Sequence, residues 1–326
     1  MTSDPQPPGP VNTAEDDDIF DHGERVAHLR PDHVYLAHLS IYDYAARLCQ
    51  GARVLDAGSG AGYGSAYLAE HGAQHVDGID LSAKAVAFSQ QHFHQPNLAF
   101  QTMSLEQLDG FPAGQFDLIY SSNTLEHVPN VLPFLASAHR LLTPAGALLV
   151  AVPPITDDRL LYLNLINPYH VNLWSPRQWA HALGRFFTDI QPVLHGVVTA
   201  GEDFKPEHVT PTSPLTEKSF VFTPGQVEDM YQTFTLTAIF VARRPRPASE
   251  LPDPVAPLEF VDDSFTRTAG HIAPELRVRL KSFFDMAAPP FVLPAKDAGG
   301  SAGPLSTLKR LWRARPAGAL RKGVKP

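Results

Sequence analysis

Cysteine is nearly missing from this chain. Cys49 alone serves 326 positions, which excludes an internal disulfide framework and any cysteine-based zinc site and fits a reducing cytoplasm. No run of about 18 apolar residues occurs, so no spanning helix is expected. The N-terminal stretch MTSDPQPPGPVNTAEDDD is acidic and proline-rich, where a signal peptide would be basic and then apolar. Acid is missing from residues 300–326, which hold Lys309, Arg310, Arg313, Arg315, Arg321, Lys322 and Lys325. The whole chain carries −8, so removing these seven cations leaves −15 on the rest. An acidic body argues against wrapping of nucleic acid, while the tail suits weak contact with an anionic membrane surface. There Leu308, Leu311 and Trp312 fall at helical spacing among cations, and Pro316 keeps any helix short.

What is present is a core. Hydrophobic residues make up 44% of the chain and charged residues 18%, which excludes full disorder. Of 31 prolines, 16 fall within residues 1–10 and 245–326. Proline removes backbone donors, so the expected organisation is an irregular acidic segment 1–24, a packed domain 25–245 and a proline-rich extension 246–326. Within the domain, short β-branched runs predict strands at Arg53–Ala57, His75–Asp80, Leu98–Thr102, Phe116–Ser122, Gly146–Val152, Phe186–His195 and Phe234–Ala242. Helices are expected at Asp32–Leu48, after the first strand through Ala69, at Ala83–Phe93 behind Ser82, at Val131–Leu142, and from Pro176 to Gly184 behind Ser175. Alternating strands and helices give an α/β fold with a parallel sheet covered on both faces. Residues 197–233 are long for a connection and are expected to form a substrate-side insertion.

The densest signal is Val54-Leu55-Asp56-Ala57-Gly58-Ser59-Gly60-Ala61-Gly62-Tyr63-Gly64, a buried strand running into a glycine loop and then a helix. Glycines there let backbone approach a ligand and adopt positive φ. The acid at the strand end disfavours a pyrophosphate and suits a cationic ligand. On these residues the chain resembles the class I S-adenosylmethionine-dependent methyltransferases, most closely over 53–153. The resemblance implies a doubly wound, Rossmann-like, mostly parallel sheet of seven strands in three layers, and S-adenosyl-L-methionine as cofactor. It implies that Gly58, Ser59, Gly60, Gly62 and Tyr63 wrap the methionine part, with Asp56 orienting the loop and meeting the amino group. Asp80, at the tip of the second strand, matches the ribose-binding acid, and Leu81 matches the residue packed on adenine. Ser104 stands where the family commonly has an Asp for the adenine amino group, with Met103 and Leu105 as cover. Ser121 and Asn123 match the pocket floor below the sulfonium. For each of these positions ordinary turn or loop packing is the alternative.

Methyl transfer to a hydroxyl needs a base within hydrogen-bond reach, and histidine suits neutral pH. Among 15 His, His170 in Asn167-Pro168-Tyr169-His170 is the expected base, with His127 nearby. Some family members bind a divalent metal through Glu-x-x-Glu-His. Here the span reads Asn123-Thr124-Leu125-Glu126-His127, so one carboxylate is lost, and the expectation is no metal. The alternative is a metal at Glu126, His127 and His170 in an enzyme acting on protein or RNA. The expected acceptor is a sugar, a glycan precursor or another small hydroxylated metabolite. A non-catalytic cofactor-binding module is the rival. The N-terminal helix, with Tyr35, Tyr42 and Tyr44, is expected to form a lid.

Overall fold

A computed structural model describes residues 26–27, 33–167, 169–197, 216 and 219–251. The expectations for residues 1–24, for the basic tail and for most of 197–233 lie outside the described residues. The chain runs α1 (His33–Ala46), β1 (Arg53–Ala57), α2 (Tyr63–Glu70), β2 (His75–Asp80), α3 (Ala83–His92), β3 (Leu98–Thr102), β4 (Phe116–Ser122), α4 (Val131–Leu141), β5 (Leu142–Val152), α5 (Asp158–Leu165), α6 (Pro176–Gly184), β6 (Phe187–Val197), β7 (Phe220–Pro224), α7 (Asp229–Gln232) and β8 (Ala238–Pro245). The strands form one sheet in the order β3-β2-β1-β4-β5-β8-β6-β7. Pairings from β3 to β5 are parallel, and those of β8 with β5 and β6, and of β7 with β6, are antiparallel.

Strand alternation sorts side chains into two cores. Leu55, Ile119, Leu148, Val150 and Phe240 face one side, where α4 and α6 add Leu135 and Trp179. Val54, Leu118, Tyr120, Leu149 and Val241 face the other, where α1 and α2 add Ile41 and Leu68. Period-2 geometry makes this division inevitable once a strand is buried on both faces. Helix starts follow their capping residues. Ser82 accepts from the Ala85 amide, and Ser175 forms a reciprocal box with Gln178 ahead of Pro176. Among the described residues no helix is long and apolar enough to cross a membrane.

Four features depart from expectation. The sheet has eight strands rather than seven, because Phe220–Pro224 adds an edge strand against β6. β5 begins at Leu142, not Gly146: Phe116 pairs with Leu142, then Leu118 with Ala147, so residues 143–146 bulge outward and Pro144 needs no ladder partner. β8 begins at Ala238, not Phe234, because the Thr235 hydroxyl accepts from the His195 amide at 2.9 Å and holds that stretch away from the regular ladder. Helix α5 was not expected; Asp157 starts it by accepting from the Arg159 and Leu160 amides.

Candidate functional site

The strand order reverses between β1 and β4, and above the carboxyl ends of these strands lies a cavity of about 380 Å³, within the usual range for ligand pockets. Its nearest wall is the loop after β1. There Gly58, Gly60 and Gly62 have φ of 92, 54 and 78°. The Gly58 and Ser59 amides both donate to Ile79 O at 2.9 Å, and the Gly60 amide donates to Asp80 Oδ2 at 3.0 Å. The loop is thereby pinned to the tip of β2. A Cβ at Gly58 would run into the Thr124 side chain, and one at Gly62 into Ser89, so glycine is required by both conformation and space. Gly58, Ser59, Gly60 and Tyr63 line the cavity; Gly62 is packed behind them.

Asp80 and Leu81 form the next part of the wall, followed by Ser104 and Leu105. Asp80 Oδ1 accepts from the Ser82 amide at 2.8 Å. Each oxygen thus holds one backbone donor, and a carboxylate has about four acceptor positions, so it retains capacity for a diol. Leu81 is 76% exposed at the rim. Ser104 Oγ accepts from the Glu106 amide. Met103 is turned into the core and does not line the cavity.

The floor is built from buried polar contacts. Asp56 is fully buried. Ser65 Oγ donates to it at 2.6 Å and the Tyr42 hydroxyl at 3.2 Å, joining β1 to α2 and α1. Burial pushes its pKa up to about 7; the Ser65 and Tyr42 hydrogen bonds oppose that, and the nearby Asp80 charge adds to it. Asp56 and Ser121 both lie beneath the lining residues, Ser121 donating to Ala57 O at 2.9 Å.

These residues fit an S-adenosylmethionine-sized ligand. Ser59 Oγ is buried and has no hydrogen-bond partner among the described residues, although its loop borders the cavity. A native buried hydroxyl left in that state calls for a ligand or water.

The opposite wall comes from the segment after β4. Asn123 lines the cavity at φ 49°, a left-handed conformation that asparagine tolerates. His127 also lines it, and its Nδ1 lies 3.0 Å from Tyr169 O. A carbonyl only accepts, so the proton sits on Nδ1, and Nε2 is the basic nitrogen. His170 does not line the cavity. Its Nδ1 lies 2.7 Å from Asn164 Oδ1, while Asn164 Nδ2 donates to Leu160 O, so this ring too is a donor from Nδ1. The two imidazoles meet edge to face with centroids 4.9 Å apart. One ligand atom from each of Glu126, His127 and His170 lies within 4.8 Å of the others, with Glu126 buried. Two imidazoles fixed through Nδ1 and one carboxylate are a donor set that suits a borderline divalent cation.

Sequence reasoning missed His38, Glu106, Ser122, Thr124, Pro129 and Tyr169, all of which line the cavity. The lid tyrosines divide: Tyr42 reaches the cavity, Tyr35 packs on Tyr63, and Tyr44 stacks on Phe222 of β7 at 4.7 Å. The helical spacing of His38 and Tyr42 was the available signal.

Residues 55–150 match a family described as a methyltransferase domain. Over 99 residues the chain is 38% identical to a ubiquinone biosynthesis O-methyltransferase of Albidiferax ferrireducens, covering 29% of this chain and 39% of that one. Over 148 residues it is 31% identical to a protein of the same name from Rhodopseudomonas palustris, covering 45% of this chain and 56% of that one. The chain thus spans about half or less of these curated relatives. A solved S-adenosylmethionine dependent methyltransferase from Mesorhizobium loti is 28% identical, covers 37% of this chain and 55% of that one, and has a TM-score of 0.34.

Proposed function

We propose that this chain, whose residues 55–150 match a methyltransferase domain, is a class I S-adenosylmethionine-dependent enzyme that methylates a hydroxyl of a small acceptor such as a sugar, a glycan precursor or another hydroxylated metabolite. The observation that carries the reading is the loop of Gly58, Ser59 and Gly60, pinned by Asp80 and bordering the cavity with the unpartnered Ser59 hydroxyl. The name shared by the two curated relatives favours oxygen as the accepting atom.

The cofactor supplies, when bound, an activated methyl on a sulfonium, ready for in-line displacement. Asp80 would hold a ribose diol, and the glycine loop would follow the amino-acid part. Apolar Leu105, Val128 and Pro129 line the wall and would keep water from the acceptor. His127 would take the hydroxyl proton on Nε2. His170, behind it, would steady that ring rather than act as the base.

Two substitutions test this. Asp80→Ala is expected to weaken S-adenosylhomocysteine binding about 30-fold by calorimetry, in line with loss of charge-assisted hydrogen bonds, with a small drop in melting temperature from the freed Gly60 and Ser82 amides. Affinity within twofold of wild type would remove the ribose role. His127→Ala is expected to lower turnover about a hundredfold or more while cofactor affinity holds; equal turnover would dismiss it as base.

A second reading is favoured by the convergence of Glu126, His127 and His170. In it a divalent cation held by these three side chains would act as a Lewis acid toward the acceptor oxygen. Chelation followed by addition of Mg²⁺, Mn²⁺ or Zn²⁺ separates the two. Turnover unchanged by EDTA leaves His127 as base, and a tenfold loss restored by one ion assigns the three residues as ligands.

A further inference from the structure

His38 stands on α1 one turn before Tyr42, and both line the cavity. Tyr35 and Tyr42, three residues before and four after it, share its helix face. Both pack on Tyr63, with ring centroids 5.0 and 5.8 Å apart respectively. His38 is therefore held against the start of α2, where the glycine loop ends. Amides of a first helical turn and the helix dipole favour negative charge at such a place. Among the described residues that line the cavity there is no Lys or Arg. Among those described residues, the groups able to carry positive charge are His38 at the α2 end and His127 at the β4 end.

We propose that His38, as imidazolium, holds the α-carboxylate of the cofactor's amino-acid part, so that cofactor affinity falls as pH rises. The inference rests on the methyltransferase reading. Asp80 occupies the nucleoside end, so the amino-acid end reaches the α1 and α2 side of the loop. A zwitterion buried there needs a counter-charge for its carboxylate, and His38 supplies it.

The groups around His38 are consistent with this. Tyr42 and Tyr63 line the cavity with it, and His195 of β6 is near enough to feel its charge; the other charged groups of α1 and of the strands packed on that helix have partners of their own. Asp43 is engaged by Arg47 and the Tyr67 hydroxyl. Arg243 acts on Tyr44. Asp56 is engaged by Tyr42 and Ser65. His195 is fully buried with Nε2 3.0 Å from Ser40 Oγ. Burial, then the His38 charge, pushes its pKa down to about 3. His195 is thereby kept neutral, and of the two neighbouring imidazoles His38 is the one that lines the cavity.

The test is calorimetry on the full chain with two probes, S-adenosylhomocysteine and 5′-methylthioadenosine, which lacks the carboxylate. Titrations at about pH 6 and about pH 8.5 straddle an ordinary imidazole pKa. Wild type is expected to lose about tenfold in affinity for S-adenosylhomocysteine between them, the worth of one hydrogen bond to a charged group, and nothing for methylthioadenosine. His38→Gln is expected to bind S-adenosylhomocysteine about tenfold more weakly at the lower pH and with no pH dependence. His38→Arg is expected to restore that affinity and keep it at both pH values. A His38→Gln protein with the wild-type affinity and pH slope overturns the role, as does equal weakening toward both probes. Wild type that ignores both probes overturns the methyltransferase reading itself.

Discussion

Gly58→Ala is expected to weaken S-adenosylhomocysteine binding about a hundredfold and to lower the melting temperature together with it. Two effects add. The residue sits at φ 92°, outside the region an L side chain enters without strain, at a cost of about 1–3 kcal/mol. The new methyl would also run into Thr124, itself part of the cavity wall, and push it aside. Gly60→Ala is the informative contrast. Gly60 has φ 54° and nothing within 4 Å of an added Cβ, so folding should lose only about 1 kcal/mol, while the methyl protrudes where the ligand would lie. Paired melting curves and calorimetric titrations check both. Gly58→Ala with wild-type affinity would show that this turn is not part of the cofactor site.

The second large effect is on stability against pH. Asp56 is raised to about 7 when folded, chiefly by burial, from an ordinary value of 3.8. Between those values the folded state binds more protons than the unfolded one, so stability falls as pH rises through that window. The full contribution is about 4 kcal/mol, developed between about pH 4 and pH 7 and constant above. Asp56→Asn removes this titration while keeping an oxygen to accept from Ser65 or Tyr42. Wild type is therefore expected to lose stability from about pH 5 to about pH 8 by several kcal/mol more than the variant does. Urea unfolding of both proteins at each pH measures the difference. Parallel curves would mean that Asp56 is ionised and solvated in the folded state.

Strands β1 to β4 were legible because each is a short apolar run buried on both faces, a pattern that local composition alone expresses. The glycine loop was legible for a related reason: its backbone conformation demands particular residues. Less accessible was anything set by distant partners. Phe220–Pro224 reads as part of a connection until β6 offers its edge. The early start of β5 depends on Phe116 pairing across the bulge. Asp56 looks like a ligand-facing acid in sequence, whereas Ser65 and Tyr42 draw it beneath the loop. His127 and His170 were found together, but only their Nδ1 contacts with Tyr169 O and Asn164 Oδ1 separate the cavity-facing ring from its neighbour. His38 carried only its helical spacing from Tyr42 as a signal, because its importance comes from the face that α1 turns toward Tyr63.

The place of β8 has a consequence for how the molecule assembles. Among the described residues, β6 reaches the rest of the sheet only through β8, and β8 is the last strand to be made. A nascent chain can therefore complete its parallel half once residue 152 has left the ribosome, whereas the β6–β7 hairpin must wait unattached for residues 238–245. That order leaves a hydrophobic edge of β5 open meanwhile, a stretch of synthesis in which premature association is the main hazard.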